Sequence, residues 1–175
     1  MVSYIFAVIT AAVFLVADQF TKYYISNNFT ENVSYEFLPG ILGITYINNT
    51  GGAWGMFRDQ TWLLLSVTIV IMLVCIALLL KYGLKNKLMF WAINLILSGG
   101  VGNLIDRVAR EGHVRDFLDL RFMDYPVFNI ADCAVVIGAG LLILYFVIDI
   151  LKENKEKRML KLEQTIQENS DNGKI

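Results

Sequence analysis

Histidine is nearly absent from this chain: His113 is the only one in 175 residues. Cysteine occurs twice, at Cys75 and Cys133, with no CxxC spacing. A zinc site made of His and Cys therefore has almost no ligands to draw on, and no metal or other cofactor is expected. The patterns HExxH, GxSxG and the phosphate-binding loop are missing, which removes three common hydrolase signatures. There is no basic arm and no aromatic RNA-binding pattern, and the formal net charge is -1, so nucleic acid is not an expected partner. Both cysteines fall inside apolar runs and read as small core residues, not as a disulfide.

Apolar residues are in excess. The chain is 56% hydrophobic and 18% charged, with a mean hydropathy of +0.54, and its charges are segregated. That is too apolar for a soluble domain. The apolar residues come in runs close to the ~18–20 that cross a bilayer. The spans are expected at about 2–25, 62–80, 88–107 and 128–150. Val2–Ala17 carries no charge, and the first helix is expected to continue through Asp18 to Ile25. Asp18 and Lys22 then share one helical face. A secretory signal peptide is the competing reading of this start, but a basic n-region and a small-x-small cleavage site are both missing.

Between the first two spans, region 27–61 is polar. Val33, Tyr35 and Phe37 alternate with polar neighbours, Pro39-Gly40 makes a turn, and Ile41–Ile47 resumes as a second strand. Asn48-Asn49-Thr50-Gly51-Gly52-Ala53-Trp54 follows, where a glycine pair permits close approach of a ligand. Lys81–Lys87 is a loop with three lysines. Residues 1–151 read as one membrane unit, and 152–175 as a charged cytoplasmic tail, helical and then fraying from Glu168. The expected fold is an α-helical polytopic membrane protein: four transmembrane helices and a small extracytoplasmic β-sheet or hairpin between helices 1 and 2.

Four spans put both termini on one side, together with the lysines of the 81–87 loop and of the tail. The positive-inside rule makes that side cytoplasmic. Arg107, Arg110, Arg115 and Arg121 then lie outside against the rule, which points to pairing with local carboxylates or anionic lipid. The same orientation gathers Asp18, Asn49, Asn103, Asp106, Arg107, Asp116, Asn129 and Asp132 at the outer face. Asn103 and Arg107 are four apart and Asn129 and Asp132 three apart, so each pair shares a helical face. Ionisable groups at membrane depth are costly and are functional candidates by default.

Carboxylates are the chemistry that remains. Two in a partly dry site do not both ionise cheaply, so one keeps a proton. The ionised partner can then take a proton from water while the other polarises a carbonyl. Asp116 and Asp132 form the leading pair; by spacing alone Asp106 or Asp119 is nearly as good a partner. His113 sits in a polar loop and reads as solvated.

Five segments together resemble a known family. They are Asp18-Gln19-x-x-Lys22, Asn49-Thr50-Gly51, the glycine-rich run ending in Gly102-Asn103-Leu104-Ile105-Asp106-Arg107, Val114-Arg115-Asp116-Phe117, and Phe128-Asn129-Ile130-Ala131-Asp132. In this order they resemble bacterial lipoprotein signal peptidase, or signal peptidase II. The resemblance implies an intramembrane aspartic endopeptidase that cuts a prolipoprotein before a diacylglyceryl-modified cysteine. It implies Asp116 and Asp132 as the catalytic dyad, with Asp18, Asn49, Asn103, Arg107 and Asn129 lining and supporting the site. Lys22, Gly51 and Asp106 lie in the same motifs and join the support. The 27–61 sheet would cradle substrate and the loop Ala109–Tyr125 would cover it. Membrane lipids, the bacterial cytoplasmic membrane and a monomeric state complete the expectation. One departure stands out: the family more often has Ala-Ala-Phe where this chain has Gly52-Ala53-Trp54, which bears on substrate or inhibitor preference. Two other readings suit the residues alone, a small proton-coupled transporter and a non-enzymatic lipid-binding assembly factor.

Overall fold

The computed structural model describes residues 2–82 and 86–172. The order is α1 (Val2–Asn28), β1 (Ser34–Leu38), β2 (Leu42–Asn49), α2 (Thr61–Tyr82), α3 (Lys87–Ala109), β3 (Val114–Leu120) and α4 (Ile130–Asn172). The fold is a four-helix membrane bundle with a three-stranded sheet at one end. Among the described residues, α2, α3 and the Ile130–Glu168 part of α4 are both long and apolar enough to cross a membrane. Helix α1 has 27 residues, about 40 Å at the helical rise. Its Phe6, Ile9, Val13, Val16 and Phe20 recur at helical spacing and are all exposed, as a lipid-facing stripe would be.

Helix α3 is the hub. Half of its most apolar stretch is buried, against 6% for α2 and 11% for α4. Its start is capped by Asn86, whose Oδ1 accepts from the backbone N–H of Leu88 (2.9 Å) and Met89 (3.2 Å). Cys75, Met89, Ile93 and Ile96 form the core between α2 and α3, with Leu142 and Tyr145 of α4 packed on it. Both cysteines are free; Cys75 is a core residue as expected, whereas Cys133 is only partly buried. Small residues set the α3–α4 crossing at both ends. A Cβ on Gly99 would overlap the Ala131 carbonyl, and one on Gly138 would lie 2.7 Å from Ala92 O and 3.0 Å from Ile96 N. Backbone does not yield as a side chain does, so Gly138→Ala is expected to separate the helices and cost ~1–3 kcal/mol. Thermal unfolding in detergent should show a melting temperature lower by roughly 5 °C; an unchanged value would mean that the crossing is not this tight.

The hairpin expected in region 27–61 is present, with Gly40 at φ 69° in its turn. The sheet also has a third strand, within the expected 109–125 loop. β3, from the α3–α4 connection, pairs antiparallel with β2, setting Asn49 against Val114 and Ile47 against Asp116. Ile25, Tyr46 and Phe117 are buried together, with Phe29 and Ile130 beside them, and fasten the sheet to α1 and the start of α4. Helix α4 runs unbroken into the charged segment and is helical through Asn172, past Glu168, where fraying was expected. Of the expected 81–87 loop, residues 83–85 lie outside the described residues, as do 173–175 of the tail.

Candidate active site

The site is built on the N-terminus of α4. Asn129 precedes the helix and Asp132 is its third residue. The Asn129 side chain accepts from Asp132 N (2.9 Å) and the Asp132 carboxylate accepts from Asn129 N (3.0 Å). This is a reciprocal cap, with aspartate in the acidic position. Asp18 of α1 satisfies a further free donor of the same turn, accepting from Ala131 N at 2.9 Å. The positive end of the helix dipole faces both carboxylates. Gly102 lets Asp18 in: a Cβ there would lie 2.7 Å from its Oδ2 and 3.1 Å from Ala131 Cβ.

Strand β3 brings Asp116 to the same point. Asn129 Nδ2 donates to Asp116 Oδ1 (2.6 Å) and Asn49 Nδ2 to Asp116 Oδ2 (2.8 Å). Asn49 is held in this orientation because its own Oδ1 accepts from Gly51 N at 2.9 Å. Asn103 Nδ2 donates to Asp132 Oδ1 at 2.7 Å, and its Oδ1 accepts from Lys22 Nζ (2.9 Å) and Asn129 Nδ2 (3.0 Å). Lysine only donates, so the Asn103 amide has one sensible orientation. Asn129 therefore links the two carboxylates, and all four of their oxygens accept an amide N–H. Burial, and then the charge of Asp132, push the Asp116 carboxyl up to about 7, against the bonds from Asn49 and Asn129 and the Lys22 charge.

Both carboxylates line one cleft of about 180 Å³, with Asn49, Gly51, Asn103 and Arg107. Arg107 keeps its Nε buried without a hydrogen-bond partner, a donor left over for a ligand. The sequence reading missed the apolar wall of Tyr125, Pro126, Val127, Val135 and Val136. Trp54, Tyr125 and Phe128 stand edge to face across it, with ring centroids 5.5 and 5.8 Å apart. Aromatics near a Pro in a loop were the available signal, and it is a weak one.

Behind the cleft lies a buried charge cluster. Lys22, fully buried, pairs with Asp18 (2.9 Å) and lies 3.8 Å from Asp106. Asp106, also fully buried, accepts from Arg115 through Nη2 (2.6 Å), Nε (3.1 Å) and backbone N (3.0 Å). Gln19, which the sequence reading quoted but gave no role, donates to Asp18 (3.0 Å) and Gly102 O (3.0 Å) and accepts from Arg115 (3.3 Å). Asp106 is thus engaged away from the cleft. Asp119 accepts from Thr45 at 2.6 Å and pairs with Arg121 at 3.4 Å on the sheet. Neither lines the cleft, so the spacing alternatives to Asp116 do not meet Asp132 there. Three of the four arginines read against the charge rule find protein partners: Arg115 and Arg121 as above, and Arg110 on Asn48 Oδ1 (2.8 Å) and Tyr46 Oη (3.3 Å). His113 packs its Nδ1 on Arg110 O at 2.9 Å, outside the cleft.

A helical membrane bundle with two amide-bridged carboxylates facing one cleft defines a membrane protein equipped for acid–base hydrolysis. Known proteins narrow this. The family model described as Signal peptidase (SPase) II matches residues 10–148. The lipoprotein signal peptidase of Syntrophus aciditrophicus is 38% identical over 156 residues, 85% of this chain and 94% of its own length. That of Enterococcus faecalis is 36% identical over 132 residues, 75% of this chain and 81% of its own. A solved bacterial membrane enzyme, determined by the in meso method at 2.3 Å, superposes with a TM-score of 0.78 at 35% identity, covering 82% of this chain and 88% of that one. The chain belongs to the signal peptidase II family.

Proposed function

We propose that the chain is an intramembrane aspartic endopeptidase that removes signal peptides from prolipoproteins, cutting before the diacylglyceryl-modified cysteine. Asp116 and Asp132 are its catalytic pair. The observation that carries this reading is the Asn129 link: one residue donates to both carboxylates, and both open on the same cleft. The pair holds one proton between them. The ionised carboxylate takes a proton from water, and the water oxygen attacks the scissile carbonyl carbon. The protonated carboxyl gives its proton to the carbonyl oxygen. As the diol collapses, the C–N bond breaks and its electron pair stays on nitrogen. That nitrogen takes the proton captured from water, and the diol proton returns to the other carboxylate. Asn49, Asn103 and Asn129 hold both carboxylates in place, and Arg107 donates to the substrate backbone. Asp18, Lys22, Gly51 and Asp106 support this frame from behind.

The membrane arrangement follows. The site lies at the outer face of a bacterial cytoplasmic membrane, where water reaches it and the acyl chains of the substrate stay in the bilayer. Both termini are cytoplasmic, and the chain works as a monomer, residues 1–151 forming the peptidase unit and 152–175 a cytoplasmic tail. Purified protein in detergent is expected to cut a diacylglyceryl-modified prolipoprotein, with a product mass that begins at the modified cysteine. The same precursor with an unmodified cysteine should stay intact. Equal cleavage of both, or none of either by folded protein, would refute the assignment.

A further inference from the structure

The cleft that holds Asp116 and Asp132 shares lining residues with two further cavities, one on either side. Asn103, Arg107, Asp132 and Val135 also line a cavity of about 210 Å³ whose remaining wall is Thr68, Ile71, Met72, Ile96 and Gly100 of α2 and α3. At the other end, Asn49, Gly51, Gly52, Pro126 and Val127 also line a cavity of about 290 Å³ whose remaining wall includes Asn32, Asn48, Thr50, Trp54 and Arg58. The carboxylate pair thus sits between an end walled by α2 and α3 and an end under the sheet, where Arg58 enters the lining.

The end under the sheet is a built feature. The segment from Gly51 to Gln60 wraps it, with three non-glycine residues in the left-handed region: Trp54 (φ 55°), Phe57 (φ 56°) and Asp59 (φ 61°). Such conformations are strained and gather where function requires a shape. Backbone bonds hold the wrap: Gly52 N to Met56 O (2.8 Å), Gln60 N to Phe57 O (3.0 Å) and Asp59 N to Thr50 O (3.2 Å). Asn48 is already engaged by Arg110 and Tyr46, so it serves as wall. Arg58 is the one charged residue among the described residues that line this cavity. It is exposed and makes no ion pair or side-chain hydrogen bond among the described residues. Glu31, which accepts from Asn48 N at 3.3 Å, and Asp59 are acidic neighbours outside the lining.

A prolipoprotein has two unlike halves about its scissile bond, an apolar signal segment and a polar mature chain. We propose that the cavity beneath Trp54 and Arg58 is the subsite for the first residues of the mature chain, and that Arg58 makes it favour acidic side chains there. The inference rests on the peptidase reading and adds a direction to it. The signal segment lies toward α2 and α3, and the mature chain leaves between the wrap and Pro126–Val127.

The test uses purified full-length protein and diacylglyceryl-modified prolipoproteins identical through the cysteine. They carry Asp-Asp, Ser-Ser or Lys-Lys at the second and third positions of the mature chain. An exposed charge contact of this kind gives the wild type a kcat/KM preference of about fivefold for Asp-Asp over Lys-Lys, weakened in 0.5 M salt. Arg58→Glu should invert that ratio. An Asp-Asp to Lys-Lys ratio that is the same in wild type and Arg58→Glu would overturn the subsite while leaving the peptidase intact. Failure of the folded wild type to cut the Ser-Ser substrate would overturn the peptidase reading itself, and the subsite with it.

Discussion

Asp132→Asn is expected to reduce kcat for prolipoprotein cleavage by at least about 10³-fold while the protein remains folded. Hydrolysis by a carboxylate pair needs one member to accept a proton and the other to donate one. An amide does neither at ordinary pH, so after a single replacement the remaining carboxyl has no partner for the other half of the cycle. Asp116→Asn should therefore be as severe, and the double variant little worse than either single one, because residues that act as a unit are non-additive. The structural cost is smaller. Asp132 accepts from Asn103 Nδ2 and from Asn129 N. An asparagine there can satisfy only one of them, since its NH₂ would face a donor. Loss of the cap costs about 1 kcal/mol. Kinetics beside a thermal melt in detergent separates the two effects. Full activity in Asp132→Asn would remove Asp132 from the reaction.

The second large effect is on stability. Lys22→Met is expected to cost about 3–5 kcal/mol, because it leaves the buried Asp18 carboxylate without its cation. Lys22 is fully buried, pairs with Asp18 at 2.9 Å and donates to Asn103 at 2.9 Å. Asp18 in turn ties α1 to the start of α4 through Ala131 N. The loss thus reaches three helices. Lys157→Met is the internal control. Its pair with Glu153 is short, 2.6 Å, but the two side chains are 64% and 62% exposed. Exposed helical pairs of this spacing contribute little, because water screens them. Melting temperatures in detergent should fall by roughly 10 °C for Lys22→Met and hardly at all for Lys157→Met. Equal shifts would show that the buried cluster does not hold the bundle together.

Much of this was legible because its signals are local. The apolar runs announce α2, α3 and α4. The four-residue spacing of Asp18 and Lys22 and the three-residue spacing of Asn129 and Asp132 put each pair on one helical face. The second spacing is also that of an N-terminal cap. What stayed hidden depends on contacts distant in sequence. Val114–Leu120 mixes charged and apolar residues without clean alternation, so it read as loop, and only pairing with β2 makes it a strand. That strand is what carries Asp116 to Asp132. Spacing left Asp106 and Asp119 nearly as eligible, and it is Arg115 at 2.6 Å on one and Thr45 at 2.6 Å on the other that occupy them. Gln19 gives no pattern at all, since its partners are a neighbour, Gly102 and Arg115. The need of the arginines between Arg107 and Arg121 for partners was legible from the charge rule, but the partners themselves were not.

The pH dependence of kcat/KM for the wild type tests the central claim most directly, that two carboxylates sharing one proton do the chemistry. Asp116 is raised to about 7 by burial and by Asp132. Below that pH the pair retains its proton; above it both members are ionised and the acid is gone. Activity should therefore fall as pH rises through about 7, and fall again on the acid side as the remaining carboxylate takes up a proton. A profile that stays flat or rises through pH 7 to 9 would contradict the account, because a fully ionised pair has no proton to give the scissile carbonyl.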